Sequence, residues 1–294
     1  MNCQPIYGRG PIPVGPLEGL GHPPPTHPLD CFAVSLEINK IEWLDEAIAG
    51  LKKWSHEVGL KRAFILTQRD IAGKVLSELR ERTSHFLRIT PGIEASSCME
   101  TLNDVGGWEL LAESLLEASK IIGTDTVYMD FEGASKLHLP KQVGEKPEIE
   151  PDWKLIHRGL QWLPPLLTYC WYPTVTSERA DIRSFQERFL HHALAILPKV
   201  RMIDLSISSP GAMRAWTRFT KANHQHLERM KETFTLPEMI RMLYFYGDGA
   251  GYWDDWHFPL VKNLVPPWQD ILIYTGWSRW PAEGLLKAVK AAQE

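Results

Sequence analysis

The sequence predicts a single eight-stranded β/α barrel, a (β/α)8 TIM barrel, preceded by a proline-rich N-terminal arm. Three observations predict it. From residue 29 onward a short apolar run, a loop and an amphipathic stretch recur in turn. The runs are almost continuously apolar, as strands of a parallel sheet covered on both faces must be. Residues 29–294 are also close to the roughly 250 that one such barrel needs.

Residues 1–28 contain Pro11, Pro13, Pro16 and the triplet Pro23-Pro24-Pro25, interspersed with glycine. Proline lacks the N–H and fixes φ, so this stretch is expected as an extended arm. The barrel then occupies 29–294. Its first strand is expected at 31–36 with a helix at 41–58, and its second at 63–67 with a helix at 71–82. The third is expected at 85–90, closed by Pro91-Gly92, with a helix at 108–122. The fourth is expected at 126–130, followed by a long loop and a helix at 153–163. The fifth, 166–171, precedes a helix at 181–196, and the sixth, 200–206, precedes one at 210–231. The seventh is expected at 240–246 and the eighth at 271–275, with a closing helix at 281–292. The competing arrangement is an open doubly wound sheet, which usually carries a glycine-rich turn after its first strand. Here Glu37-Ile38-Asn39-Lys40 follows that strand and has no glycine.

Composition narrows the function classes. The chain is 44% hydrophobic and 23% charged, an ordinary globular balance. A net charge of -4 gives no basic field, so neither nucleic acid nor an anionic membrane is an expected partner. Cys3, Cys31, Cys98 and Cys170 are widely spaced and form no C-x-x-C pair, which fits free thiols in a reducing compartment. The N-terminus lacks the pattern of a secretory signal, and no apolar run reaches the roughly 18 residues of a transmembrane helix. A cytoplasmic location is therefore the default, with export by another route left open. No Walker loop, G-x-S-x-G elbow or H-E-x-x-H motif occurs, and no cofactor is expected.

Reactive groups of a β/α barrel lie at the C-terminal ends of its strands. Glu37 follows the first strand, Glu94 the third, and Asp130 with Glu132 the fourth. Trp171 and Tyr172 close the fifth, Tyr246 and Asp248 the seventh, and Trp277 and Trp280 follow the eighth. The opposite ends begin with Lys61-Arg62, His85, Lys199-Val200-Arg201 and Arg241, expected as solvent-facing starts. Side chains alternate along a strand, so Tyr128, Asp130 and Glu132 should share the inward face, and Val127, Met129 and Phe131 the outward one. Two carboxyls so close in a semi-enclosed mouth cannot both ionise cheaply, and one pKa should rise. An un-ionised acid beside an ionised one is what glycosidic cleavage requires.

The run Asp125-Thr126-Val127-Tyr128-Met129-Asp130-Phe131-Glu132 resembles the fourth-strand signature of the family-eighteen chitinases, D-G-x-D-x-D-x-E. Asp125, Asp130 and Glu132 match. Thr126 stands at the glycine position and Tyr128 at the second aspartate. The resemblance implies a glycoside hydrolase-like barrel with Glu132 as general acid, Asp130 as its partner, and Trp277 as the floor of a sugar site. The third and sixth strands do not carry that family's other motifs. In a second glycosidase layout Asp248, flanked by Gly247 and Gly249, would serve as nucleophile. The separation of its carboxyl from Glu132 would set retention or inversion.

Tyr128, Trp171, Tyr172, Tyr246, Trp253, Trp277, Glu37 and Glu94 complete the expected substrate-binding set for an oligo- or polysaccharide. Indoles suit the C–H faces of sugars, although Trp also packs wherever it is buried. His191-His192 and His224-x-His226 do not face one another along a helix, so neither pair is expected to chelate. Two further readings remain. One is a carbohydrate-binding barrel without catalysis. The other is a metal-dependent sugar-converting enzyme with a site assembled from Glu37, Glu94 and Glu132. The oligomeric state is left open.

Overall fold

The structure is a computed structural model. It describes residues 32–172, 179–207, 238–243 and 270–274, together with 286–287, 289–290 and 293. The strands are β1 (Phe32–Ile38), β2 (Arg62–Thr67), β3 (Arg88–Glu94), β4 (Thr126–Asp130), β5 (Thr168–Tyr172), β6 (Val200–Ile207), β7 (Glu238–Leu243) and β8 (Asp270–Tyr274). Each pairs in parallel with the next, and β8 returns to pair with β1, so the sheet is a closed ring. The described helices are α1 (Leu44–Val58), α2 (Arg69–Thr83), α3 (Val105–Ile122), α4 (Glu132–Ser135), α5 (Trp153–Leu160) and α6 (Ala180–Ile196). The expected parallel β/α ring is thus observed. The expected arm at 1–28 and the helix at 210–231 lie outside the described residues.

Alternation along each strand separates two apolar layers. Ala33, Phe64, Leu66, Tyr128, Cys170, Tyr172 and Leu272 form a cluster inside the ring. Val34, Leu36, Ile65, Val127, Met129 and Trp171 lie in the larger cluster between sheet and helices. Burying each large apolar side chain contributes about 1.5–3 kcal/mol, so the outer layer holds the helices on.

Helix ends follow local chemistry. Gly59 (φ 69°) and Gly123 (φ 79°) close α1 and α3 in the left-handed region, where a Cβ is strained. Asp104 caps α3 by accepting from the Gly107 amide, and Asp152 caps α5 by accepting from the Lys154 and Leu155 amides. On α5, a Cβ at Gly159 would overlap the Trp108 ring. Glycine there lets α5 press against α3.

Two expectations are corrected. Strand β3 does not stop at Pro91-Gly92 but runs through both to Glu94, in register with Ile65, Leu66 and Thr67 of β2. A turn signal lost to pairing with an existing neighbour strand. Nor are all the strand starts solvent-facing: Arg62 and Arg201 are 5% and 3% exposed. Arg62 stands two residues before inward Phe64, and Arg201 pairs with inward Cys170. Both therefore lie on the inward face at the N-terminal end of the ring.

Candidate active site

The C-terminal ends of β1, β3 and β4 bring Glu37, Glu94 and Asp130 to one mouth. Glu94 and Asp130 are register partners, and both Glu37 and Glu94 act electrostatically on Asp130. Beneath them Tyr128 fills the ring interior, its ring edge-on to Phe64 at 5.8 Å. Gly92 makes this possible. It pairs with Tyr128, and a Cβ there would lie 2.9 Å from the Tyr128 Cβ and Cδ1.

The chain leaves β4 sharply. Asp130 Oδ1 accepts from the Glu132 amide at 2.7 Å, and the Phe131 amide donates to the Tyr172 carbonyl at 2.9 Å. Glu132 then opens α4 and does not continue the strand. It is nonetheless half-buried and hydrogen-bonded to Tyr172. Gly133 holds it close to β3, since a Cβ there would meet the Ser96 Cβ at 2.6 Å. Ser96 in turn donates to Glu94 Oε1 at 2.6 Å. Farther along the loop, His138 accepts from the Leu102 amide through Nε2 and bonds the Ile149 carbonyl through Nδ1. Both nitrogens are committed, and burial lowers the imidazole pKa, so His138 is a neutral brace for the loop.

Electrostatics separate the carboxyls. Burial first, then the charges of Glu132, Glu37 and Glu94, push the Asp130 pKa well above its ordinary value, against the lowering effect of the Glu132 amide. Burial also raises Glu132, while Lys136 and the Tyr172 hydroxyl pull it back. Both carboxyls therefore hold a proton more tightly than a free carboxyl does, Asp130 more so than Glu132. Next to Glu94 a cleft of about 270 Å³ is lined by Gln68, Arg69, Asp70, Ser96 and Ser97.

Of the residues singled out from sequence, Glu37, Glu94, Tyr128, Asp130, Glu132 and Tyr172 are brought together here. Trp171 is not. Its ring is fully buried behind the sheet, 4.7 Å from both Phe131 and Phe189, so it packs helices onto the barrel. It cannot share a face with Tyr172, its neighbour on the strand. Tyr246, Asp248, Trp253 and Trp277 lie outside the described residues. Ser35, Gly92, Ser96 and Lys136 were not singled out. Strand register places Ser35 and Gly92 at the site, and the turns that follow β3 and α4 place Ser96 and Lys136.

All the donors are oxygens, the chemistry a hard divalent cation takes. Yet among the described residues no three ligating side chains converge on one point. As placed, Glu37, Glu94 and Glu132 do not make a metal centre.

No protein-family profile and no curated protein matches the sequence. Solved structures do match. One is L-ribulose 3-epimerase, with 9% identity and a TM-score of 0.48, covering 89% of this chain and 91% of that one. Another is a putative sugar phosphate isomerase/epimerase from Anabaena variabilis, with 9% identity and a TM-score of 0.37, covering 87% and 88%. Likeness at this level bears on architecture alone. Both carry isomerase or epimerase names, so the expected chitinase-like glycoside hydrolase finds no support among the matches and is withdrawn. The geometry agrees with that correction. Where the chitinase signature has its second aspartate, Tyr128 fills the interior with a ring 2% exposed. Glu132, which that signature would make the last residue of a strand-borne ladder of acids, begins a helix. No described helix is long and apolar enough to cross a membrane.

Proposed function

We propose that this chain is a sugar-converting enzyme, an isomerase or epimerase in reaction class, acting on a small polyhydroxylated carbonyl compound. The observation that carries the reading is the placing of Glu37, Glu94, Asp130 and Glu132 at the C-terminal ends of β1, β3 and β4, with burial and neighbouring charge raising the Asp130 pKa more strongly than that of Glu132. Ionised Glu132 takes the proton from the carbon next to the substrate carbonyl. The electron pair moves into the new carbon–carbon double bond, and negative charge develops on the carbonyl oxygen. Protonated Asp130 donates a hydrogen bond to that oxygen. Its Oδ1 already accepts from the Glu132 amide, so Oδ2 carries the proton. A proton from solvent, or the one that Glu132 has taken, returns to carbon. Delivery to the opposite face of the same carbon, with the carbonyl re-formed, gives epimerisation; delivery to the former carbonyl carbon gives isomerisation, in which Asp130 passes its proton to the old carbonyl oxygen and takes one from the neighbouring hydroxyl as that oxygen becomes the new carbonyl. Carboxylate oxygens are also natural acceptors for sugar hydroxyls.

The test is proton exchange. The full chain is incubated in D2O with a panel of aldoses and ketoses, free and phosphorylated, and NMR follows deuterium entry beside the carbonyl. Exchange with at least one sugar is expected, falling at least about 100-fold in Glu132→Gln, the scale of a lost general base. Wild-type exchange unaltered by that change would refute the assignment. Sugar binding without exchange would select the non-catalytic barrel. Loss of exchange with EDTA and recovery with Mg²⁺ or Mn²⁺ would bring a metal into the site.

A further inference from the structure

Outside the barrel, the α5–α6 seam holds a second constellation of side chains. His157 on α5 and His192 on α6 face each other with Nδ1 to Nδ1 at 3.2 Å. Both are half-buried. Two ring nitrogens this close must either share one hydrogen or share a cation. The spacing suits the second case: two Zn–N bonds of about 2.0–2.1 Å at a tetrahedral angle put their nitrogens about 3.3 Å apart. The rings are also held for the purpose. His192 stacks on Trp153 at 5.3 Å and 10°, and Trp153 is itself packed on Phe185 at 5.4 Å.

We propose that His157 and His192 form a two-histidine transition-metal site that clamps α5 to α6, with water completing the coordination. The ligand class is a borderline divalent ion, Zn²⁺, Cu²⁺ or Ni²⁺, because neutral imidazole nitrogen prefers these to Mg²⁺ or Ca²⁺. The neighbours sharpen this choice. His191 lies beside His192, their ring centroids 6.0 Å apart. Arg188 is engaged over the Trp153 ring at 4.5 Å. It opposes any cation, so only an ion forming strong bonds to nitrogen is held. The site is independent of the proposed sugar chemistry and does not share its residues.

The test titrates the full-length protein with Zn²⁺ by calorimetry and follows its melting temperature. Wild type is compared with His157→Gln and His192→Gln. One binding event present in wild type should be lost, or weakened at least tenfold, in each variant. Zinc should raise the wild-type melting temperature and leave the variants' unchanged. Circular dichroism of the metal-free proteins checks that each variant folds, and if one does not, the other decides. No zinc binding by wild type, or equal stoichiometry and affinity in wild type and a folded variant, would overturn the proposal.

Discussion

Gly92→Ala tests the packing that places the acids. The added Cβ would lie 2.9 Å from the Tyr128 Cβ and Cδ1, and 3.0 Å from the Tyr128 carbonyl oxygen. Carbon atoms rest comfortably at about 3.5–4.0 Å, so roughly half an ångström or more of movement is needed. Rotating the ring relieves only the Cδ1 contact. The other two are fixed to the β4 backbone, so β3 and β4 must part. Overpacking of this kind costs about 1–3 kcal/mol, and a stiffer unfolded chain offsets about 0.4–1 kcal/mol of it. The net loss should be about 1–2 kcal/mol. At roughly 2.1 cal/mol/K per residue, a chain of 294 residues unfolds with an entropy near 0.6 kcal/mol/K, so Tm should fall by about 2–3 °C. Scanning calorimetry and urea denaturation read this directly. Proton exchange on sugar should fall as well, because Asp130 lies two residues beyond Tyr128 on the displaced strand. A Tm equal to or above wild type would refute the close approach of β3 to β4.

Asp130→Asn keeps an oxygen for the Glu132 amide and removes the charge. The Asp130 pKa is raised in the folded chain, so its favourable contribution is complete below the unfolded value and is lost as pH rises through the folded one. The variant should therefore melt higher than wild type at neutral pH, with the difference shrinking towards pH 4, while proton exchange is lost. Tyr172→Phe removes a hydrogen bond that lowers the Glu132 pKa. The acidic limb of kcat/KM against pH should move upward. Gly159→Ala drives a Cβ into the Trp108 indole and should cost at least about 1–3 kcal/mol, read by Trp fluorescence during urea unfolding. Asp152→Ala removes the α5 cap and should cost about 1 kcal/mol, with faster amide exchange across residues 153–156.

The parallel ring was legible because burial on both faces leaves a run of apolar residues that helices do not imitate. The fourth strand is the clearest case. Val127 and Met129 go outward, Tyr128 and Asp130 inward, and the strand covers 126–130 as periodicity places it. The same alternation also separates Trp171 from Tyr172, so only Tyr172 faces the ring interior. Two local signals misled. Pro91-Gly92 reads as a turn, but glycine is needed there for the Tyr128 ring, and the pairing with β2 carries the strand onward. D-x-E reads as an extended ladder, but the Asp130 side chain captures the Glu132 amide and bends the chain into α4.

What the sequence settled by itself is local: the order of strand and helix, the inward and outward faces, and the acids that close β1, β3 and β4. Those follow from nearest-neighbour chemistry, which residue order records. What only the tertiary structure decided is proximity across the chain. His157 and His192 stand 35 residues apart and meet at 3.2 Å because α5 and α6 pack side by side. The raised Asp130 pKa likewise depends on burial and on charges from Glu132, Glu37 and Glu94, and the closed ring brings the last two to its side. A carboxyl's affinity for a proton depends on distance through space, and distance along the chain does not supply it.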